Sequence, residues 1–498
     1  VKVPGSDDWW LVRLLGRLGA QFPHLKLLRD EYDGVPEVIV GDDATQQTPE
    51  VKAFTAFRNA SRLNIARLIV QAPTSRMVPL GARTSVAGDE ASDKIVQDIF
   101  DEAHMYSQLP ELFTDMGVYG SGFLLAGDDA LVRLSPWKAI TAASETQPWA
   151  ANAGLFISND PTTDMTIAVL FIRDDDGLIY VRVAHSEAKG MVIPDDGRVY
   201  TPDKRWAWQS ERTLIPWADE IPLIRVEAPG AVGQFEPHVA ALDRINTLLF
   251  NRTVIMVLQA FKQRYTQGKL PKVYPKGHPL EGQTIDYRDL FKLGPAALIT
   301  LPPDMELHQL DGTDTNQFTN AIAQELKNVA AVTGTPLYML VPDAVQGSAT
   351  GASIARETLV TKTSQLIARA QDGIARSIWL RAQAEGRPVA GKIRVAWAPV
   401  DTTSMSEKAQ SASLAGTTLP LKTIWREVYQ FTPEQMEQAE LDLDDQQFSG
   451  VTQQFGGTGA SLGSDGLDQS SEPAGESDRD TGGDAGGSPV GAVAGAAD

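Results

Sequence analysis

A chain of 498 residues is long enough to bury two or more hydrophobic cores. It holds no cysteine, which excludes a disulfide framework and any thiolate metal site and suits a reducing compartment. With 44 Lys and Arg against 64 Asp and Glu, the formal charge of −20 disfavours static gripping of DNA phosphates. DNA stays open as a passing partner, because repulsion is screened over about 8 Å at physiological salt and only channel-lining charges would be felt.

The first residues, VKVPGSDDWWLVRLL, lack the apolar run of a signal peptide, and no apolar run approaches the roughly 20 residues that span a bilayer. The expectation is an aqueous, cytoplasmic setting with no membrane partner. The first predicted helix covers residues 48–72, with Thr48 as N-cap, Pro49 at the first helical position and Phe54, Phe57, Leu63, Ile65 and Leu68 as apolar positions. A second helical segment, Asp93–Tyr119, is expected to break at Pro110. Phe123–Ala126 then reads as a strand, with Gly117, Gly120 and Gly122 making a helix-to-strand turn. A phosphate loop would need the opposite order. From Leu131 to Ala228 the pattern turns to period two. AVLFIRD, LIYVRVAH and RVYTP are separated by Asp-Asp-Asp-Gly and Asp-Asp-Gly hairpin signals, and Trp206, Trp208 and Trp217 cluster near the end. This predicts a mixed sheet with helices packed beside it.

Glu236–Tyr265 reads as a helix of about 30 residues, roughly 45 Å long, with an apolar stripe through Leu242, Ile245, Leu249, Val254, Met256, Leu258 and Phe261. A Pro/Gly-rich excursion follows, Gly268–Asp311, with a short strand at Ala297–Leu301. Asn316–Val332 is amphipathic. Next comes Thr333–Thr350, TGTPLYMLVPDAVQGSAT, where Pro336 and Pro342 forbid helix continuation. A second, much longer helix occupies Gly351–Ala384. Lys392–Ala398 reads as a strand, and Pro399–Leu443 as short helices around Ser406–Leu414, Lys422–Tyr429 and a third begun by Thr432 and Pro433. From Gln446 onward Gly, Ser and Asp dominate, and such a segment buries too little to offset its ordering entropy.

Recognisable catalytic spacings are missing. Gly386 to Lys392 has the spacing of a phosphate-binding loop, but a helix precedes it, a strand follows, and Ile393 stands where a hydroxyl should hold Mg²⁺. Gly456–Gly459 lies in the Gly/Ser-rich tail. Histidines 24, 104, 185, 238, 278 and 308 form no metal-ligand pair. Asp442 and Asp444 read as a solvated patch, and no serine has a nucleophile-elbow context. The expectation is a protein that is not an enzyme, with no catalytic residue, metal or cofactor.

The order of long helix, compact β-containing excursion, helix, Val332–Pro336 turn and very long helix opening at Gly347–Ala355 resembles the portal proteins of tailed bacteriophages. The likeness is to the SPP1-like family, in the branch found in phages of actinobacteria, and spans about Thr48 to Asp445. It implies an α+β portal fold with these parts: a mixed α/β wing over residues 1–235, a stem helix at 236–267, a small β-containing clip at 268–311, and a second stem helix at 312–333. A tunnel loop at 334–350, a long tunnel helix with a return strand at 351–398, a helical crown at 399–445 and a disordered acidic tail at 446–498 complete it. The implied function is a homo-oligomeric ring, twelve subunits in family members, at one capsid vertex. Double-stranded DNA would pass through the ring during packaging and ejection, and the major capsid protein, scaffolding protein, large terminase subunit and head–tail adaptor would be partners. The implied channel-lining residues are Pro342, Asp343, Ala344, Val345, Gln346, Gly347 and Ser348, with Leu337–Leu340 packed as core. Lys262, Arg264, Lys269, Lys272 and Lys276 either complement a helix C-terminus or face DNA or an acidic partner at the clip. The alternatives are another structural head protein, such as an adaptor or capsid subunit, and a soluble hydrolase with a helical cap domain.

Overall fold

The computed structural model describes residues 3–35, 60–86, 89–144, 149–159, 165–186, 206–260, 264–267, 272–285 except 275, 306–309, 314–341, 349–401, 405–431 except 417 and 430, and 438–444, with a few isolated positions between them. The chain forms two units, Val1–Met436 and Glu437–Asp498. In the second, residues 438–444 are helical, and Asp442 and Asp444 are exposed, as a solvated patch requires. The expected disordered tail, 446–498, lies outside the described residues.

The first unit opens with a helix that the sequence reading did not assign, α1 (Asp7–Asp33). The Ser6 hydroxyl accepts the Trp9 N–H at its start, and Gly34 ends it in the left-handed region at φ 75°. Leu11, Leu14, Leu15, Leu18, Phe22 and Leu25 recur at helical spacing and lie buried against Trp137, Ile140, Leu155, Ile157 and Leu170 of a sheet. The helix expected over 48–72 is not continuous. Residues 61–64 break it, and α2 (Ile65–Thr74) starts afresh with the Asn64 side chain accepting the Arg67 N–H at 3.1 Å. Residues 48–55 lie outside the described residues, and Leu63 is exposed.

Next come β1 (Pro79–Thr84), α3 (Glu90–Glu102) and α4 (Met105–Tyr119). The break in this segment falls at His104, at φ 50°, and not at Pro110, which lies within α4. Burial explains the difference. Met105, Leu109, Leu112, Phe113 and Met116 are each 0–1% exposed. At about 1.5–3 kcal/mol each, they outweigh the about 3 kcal/mol that a helix-interior proline costs. Gly120 (φ 76°) then turns the chain into β2 (Ser121–Ala126), as the glycine spacing predicts.

The β-rich region contains β3 (Leu131–Leu134), β4 (Ala139–Ala143), β5 (Ala151–Asn159), β6 (Thr166–Arg173), β7 (Ile179–Ser186), β8 (Trp206–Trp208), β9 (Thr213–Leu214) and β10 (Leu223–Glu227). Two sheets result, β4-β5-β6-β7-β8 with β9 also on β7, and β10-β2-β3. Every pairing in them is antiparallel, so the expectation of a mixed sheet is corrected. Tight turns such as Asp174–Gly177, closed by Asp174 N–H to Leu178 O at 2.8 Å, permit only antiparallel neighbours. RVYTP lies outside the described residues.

Three helices follow. After a 3₁₀ turn at Glu236–His238, α5 runs Val239–Ala260 and is shorter than expected. Arg264 and Tyr265 belong to a strand, β11 (Arg264–Gln267), which pairs with β12 (Glu306–Gln309). The strand expected at Ala297–Leu301 is outside the described residues. α6 (Asn316–Thr333) returns alongside α5, with Ile322, Leu326 and Val329 in the core that holds Leu242, Ile245 and Leu249. A single turn, α7 (Leu337–Leu340), leads toward α8 (Ala349–Ala384). Gly373 lets α8 approach β10, since a Cβ there would lie 2.6 Å from Val226 Cγ2. The 386–392 turn separates α8 from β13 (Ile393–Trp397), as the rejected phosphate-loop reading required, and β13 pairs with β1. The unit ends in α9 (Met405–Ala415), α10 (Leu421–Ile424) and a π turn at Trp425–Tyr429.

Candidate functional site at the junction of the long helices

Three helices meet where α6 ends. The Thr333 hydroxyl donates back to Val329 O at 2.7 Å and lies 2.9 Å from the Thr335 hydroxyl, all buried. Gly334 adopts φ 66°, the left-handed conformation that ends a helix at low steric cost. Its absent Cβ would sit 3.1 Å from Thr358 of α8, so the turn is seated against the longest rod. Thr335 N–H bonds Ala330 O, and Pro336 starts α7. Leu337–Leu340 is half-buried, and Leu340 and Val341 pack on the α5–α6 core, so the expected core role of this stretch is realised in part.

From α8, the Lys362 ammonium donates to Thr333 O at 2.8 Å. A cation at a helix C-terminus satisfies a carbonyl that the helix leaves without an N–H partner. Burial lowers the Lys362 amine to about 8. It also lowers His238, at the start of α5, and the nearby Lys362 charge adds to that shift. One lysine is thus felt by the start of α5, the end of α6 and the body of α8.

The other end of this junction is fixed to α1. His24 Nε2 lies 2.9 Å from Glu236 Oε1, while Glu236 Oε2 accepts the Gly233 N–H at 2.7 Å. Leu63 N–H donates to Asn246 Oδ1 of α5, and Asn64 Nδ2 donates to Tyr32 O of α1. Burial, with Asp243 next in effect, pushes the Glu31 carboxyl up to about 7, against the pull of Arg62. Asp243 is itself raised by burial. Elsewhere, burial pushes Asp115 up to about 7 although Arg133 bonds it at 2.6 Å.

The predicted channel residues 342–348 lie outside the described residues, as do Lys262 and Lys269. Arg264 sits in β11 opposite Gln309. Lys272 and Lys276 are exposed in a turn held by the Val273–Thr284 bridge, where Tyr274 and His278 stack at 4.4 Å. Because α5 stops at Ala260 and a strand follows, Arg264, Lys272 and Lys276 do not belong to its last turn. The reading of these three as helix-terminal cations is therefore corrected. Lys362, Thr333 and Glu31 escaped sequence reasoning because no motif marks them; their partners come from 29 residues away or more. Among the described residues no group of His, Asp and Glu could hold a metal, and no helix is long and apolar enough to cross a membrane.

One protein family, described as phage portal protein, SPP1 Gp6-like, matches residues 13–448. Two solved structures are similar in fold. The first, the neck of an empty GTA particle computed with C6 symmetry, is 12% identical, covers 82% of this chain and 93% of its own, and has a TM-score of 0.40. The second, the neck of a native GTA particle computed with C12 symmetry, is 13% identical, covers 72% and 87%, and has a TM-score of 0.39. No curated protein matches the chain.

Proposed function

Because the chain belongs to the phage portal protein family, SPP1 Gp6-like, whose members are structural and not enzymatic, we propose that its copies close into a ring, a dodecamer, around a channel for double-stranded DNA. A portal is a component of the virion capsid, and the α+β architecture is that of the portal fold. The finer assignments follow from that membership. The ring occupies one capsid vertex after assembly in the host cytoplasm. Residues 268–311 form the clip on which the large terminase subunit and then the head–tail adaptor dock. Major capsid and scaffolding proteins meet the ring from outside, and residues 342–348 line the narrowest passage.

The family match over residues 13–448 carries this reading, supported by the three-rod junction. A sliding duplex needs a lining with no deep energy well, presented identically by every copy. The Thr333–Pro336 turn, anchored by Lys362, gives the start of residues 342–348 a fixed origin on two packed rods. The lower half of α5 also fits a subunit that packs beside others: Met256 is 54% exposed, and Val254 and Ile255 are half-buried. A closed ring would cover them through heterologous side-to-side contacts. Negative-stain micrographs of purified protein test the proposal directly. Rings with a central hole are expected, and a chain that stays monomeric even with its assembly partners overturns it.

A further inference from the structure

The segment 405–431 contains α9, α10 and the π turn, which pack chiefly on one another. It buries almost nothing. Among its described residues only Ile424, 5% exposed, counts as a buried apolar side chain, and none of the four cores draws on the segment. Its surface is apolar in two places. Leu414, Leu419 and Leu421 are 75%, 43% and 46% exposed and lie within eight residues of sequence. Trp425 and Tyr429 gather on Phe431 with ring centroids 6.3 and 5.7 Å away, all three half-buried.

An 11-residue helix followed by a four-residue one is too short to persist in water on its own propensity. The segment therefore draws its stability from apolar surface outside itself, and the cores of its own chain supply none. We propose that residues 405–431 fold firmly only against a second copy, the Leu414–Leu419–Leu421 edge of one subunit resting on the Trp425–Tyr429–Phe431 cluster of its ring neighbour. Symmetry identifies the occupant. In a cyclic assembly each copy presents the same segment at the same height, and a heterologous contact sets one side of it against the opposite side of the next. A leucine edge and an aromatic cluster on one short segment form such a pair of complementary sides. The inference rests on the ring reading and deepens it.

The absence of native cysteine makes the test clean. In the full chain carrying Leu414→Cys and Tyr429→Cys, oxidation of purified rings should give a ladder of covalent multimers. A cross-link confined to single chains, or none in intact rings, overturns the pairing. Hydrogen exchange supplies a second readout on the unmodified protein. Amides of 405–431 should be at least tenfold better protected in rings than in dissociated subunits, while those of α8 change little. Equal protection in both states overturns the proposal and leaves the ring reading intact; failure to find rings overturns the ring reading first. Loss of that protection from intact rings on truncation after Met436 would assign the covering surface to residues 437–498, and would also overturn it.

Discussion

Replacing Lys362 by Met should make the protein's stability less dependent on alkaline pH. The amine's pKa falls from 10.5 to about 8 on folding, because burial penalises its charge. Below pH 8 both folded and unfolded chains carry that charge, and the folded state bears the full cost. Between pH 8 and pH 10.5 the folded protein has released the proton while the unfolded chain retains it, so the unfolded state binds more protons and stability rises with pH. Integrated from pH 7 to pH 10, this amounts to about 2.5 kcal/mol. The methionine variant keeps the aliphatic volume and abolishes this slope, at the cost of a donor to the Thr333 carbonyl, worth about 1–3 kcal/mol where Thr333 is buried. At pH 7 the two effects largely offset, and the variant should lie within about 2 kcal/mol of the parent. At pH 10 it should be less stable by about 1–3 kcal/mol. The assay is urea unfolding of both proteins at the two pH values, in the same assembly state, followed by circular dichroism. Other alkaline titrations, such as that of Tyr119, are common to both chains and cancel in the difference. A difference that stays constant from pH 7 to pH 10 would refute the assignment of Lys362 as a buried cation at the junction.

Glu31 works in the opposite sense. Its folded value of about 7 lies above the ordinary 4.5, so stability falls as pH rises from about 4.5 to 7; Glu31→Gln should flatten that fall and gain about 1–3 kcal/mol at pH 8, read from urea midpoints at pH 5 and 8. Gly120→Ala should destabilise by at least about 2 kcal/mol in thermal melts, because φ is 76° and the new Cβ would lie 2.4 Å from the Ala231 carbonyl oxygen; a melt within a degree of the parent would contradict the turn geometry. Deleting Asp343–Ala349 should leave rings intact in micrographs while DNA packaging or retention fails. Loss of ring assembly on that deletion would mark the segment as core.

Local pattern was enough to give the sequence of rods, the Asp174–Gly177 hairpin, the strand after Gly120 and the rejection of Gly386–Lys392 as a phosphate loop. Each of these depends on residues within a few positions of one another: apolar spacing, a turn glycine, a proline or a missing hydroxyl. The order of the elements also carried the portal resemblance, which the family match over residues 13–448 bears out. Tertiary structure decided what depends on distant partners. Pro110 is carried through α4 because five side chains reach one core, whereas residues 61–64 break a helix that apolar spacing alone extends. The N-terminal helix took its meaning from a sheet more than a hundred residues away. Lys362 and Glu31 look like ordinary surface charges until folding removes their water, for the energy of a charge is set by its surroundings in space and not by its neighbours along the chain.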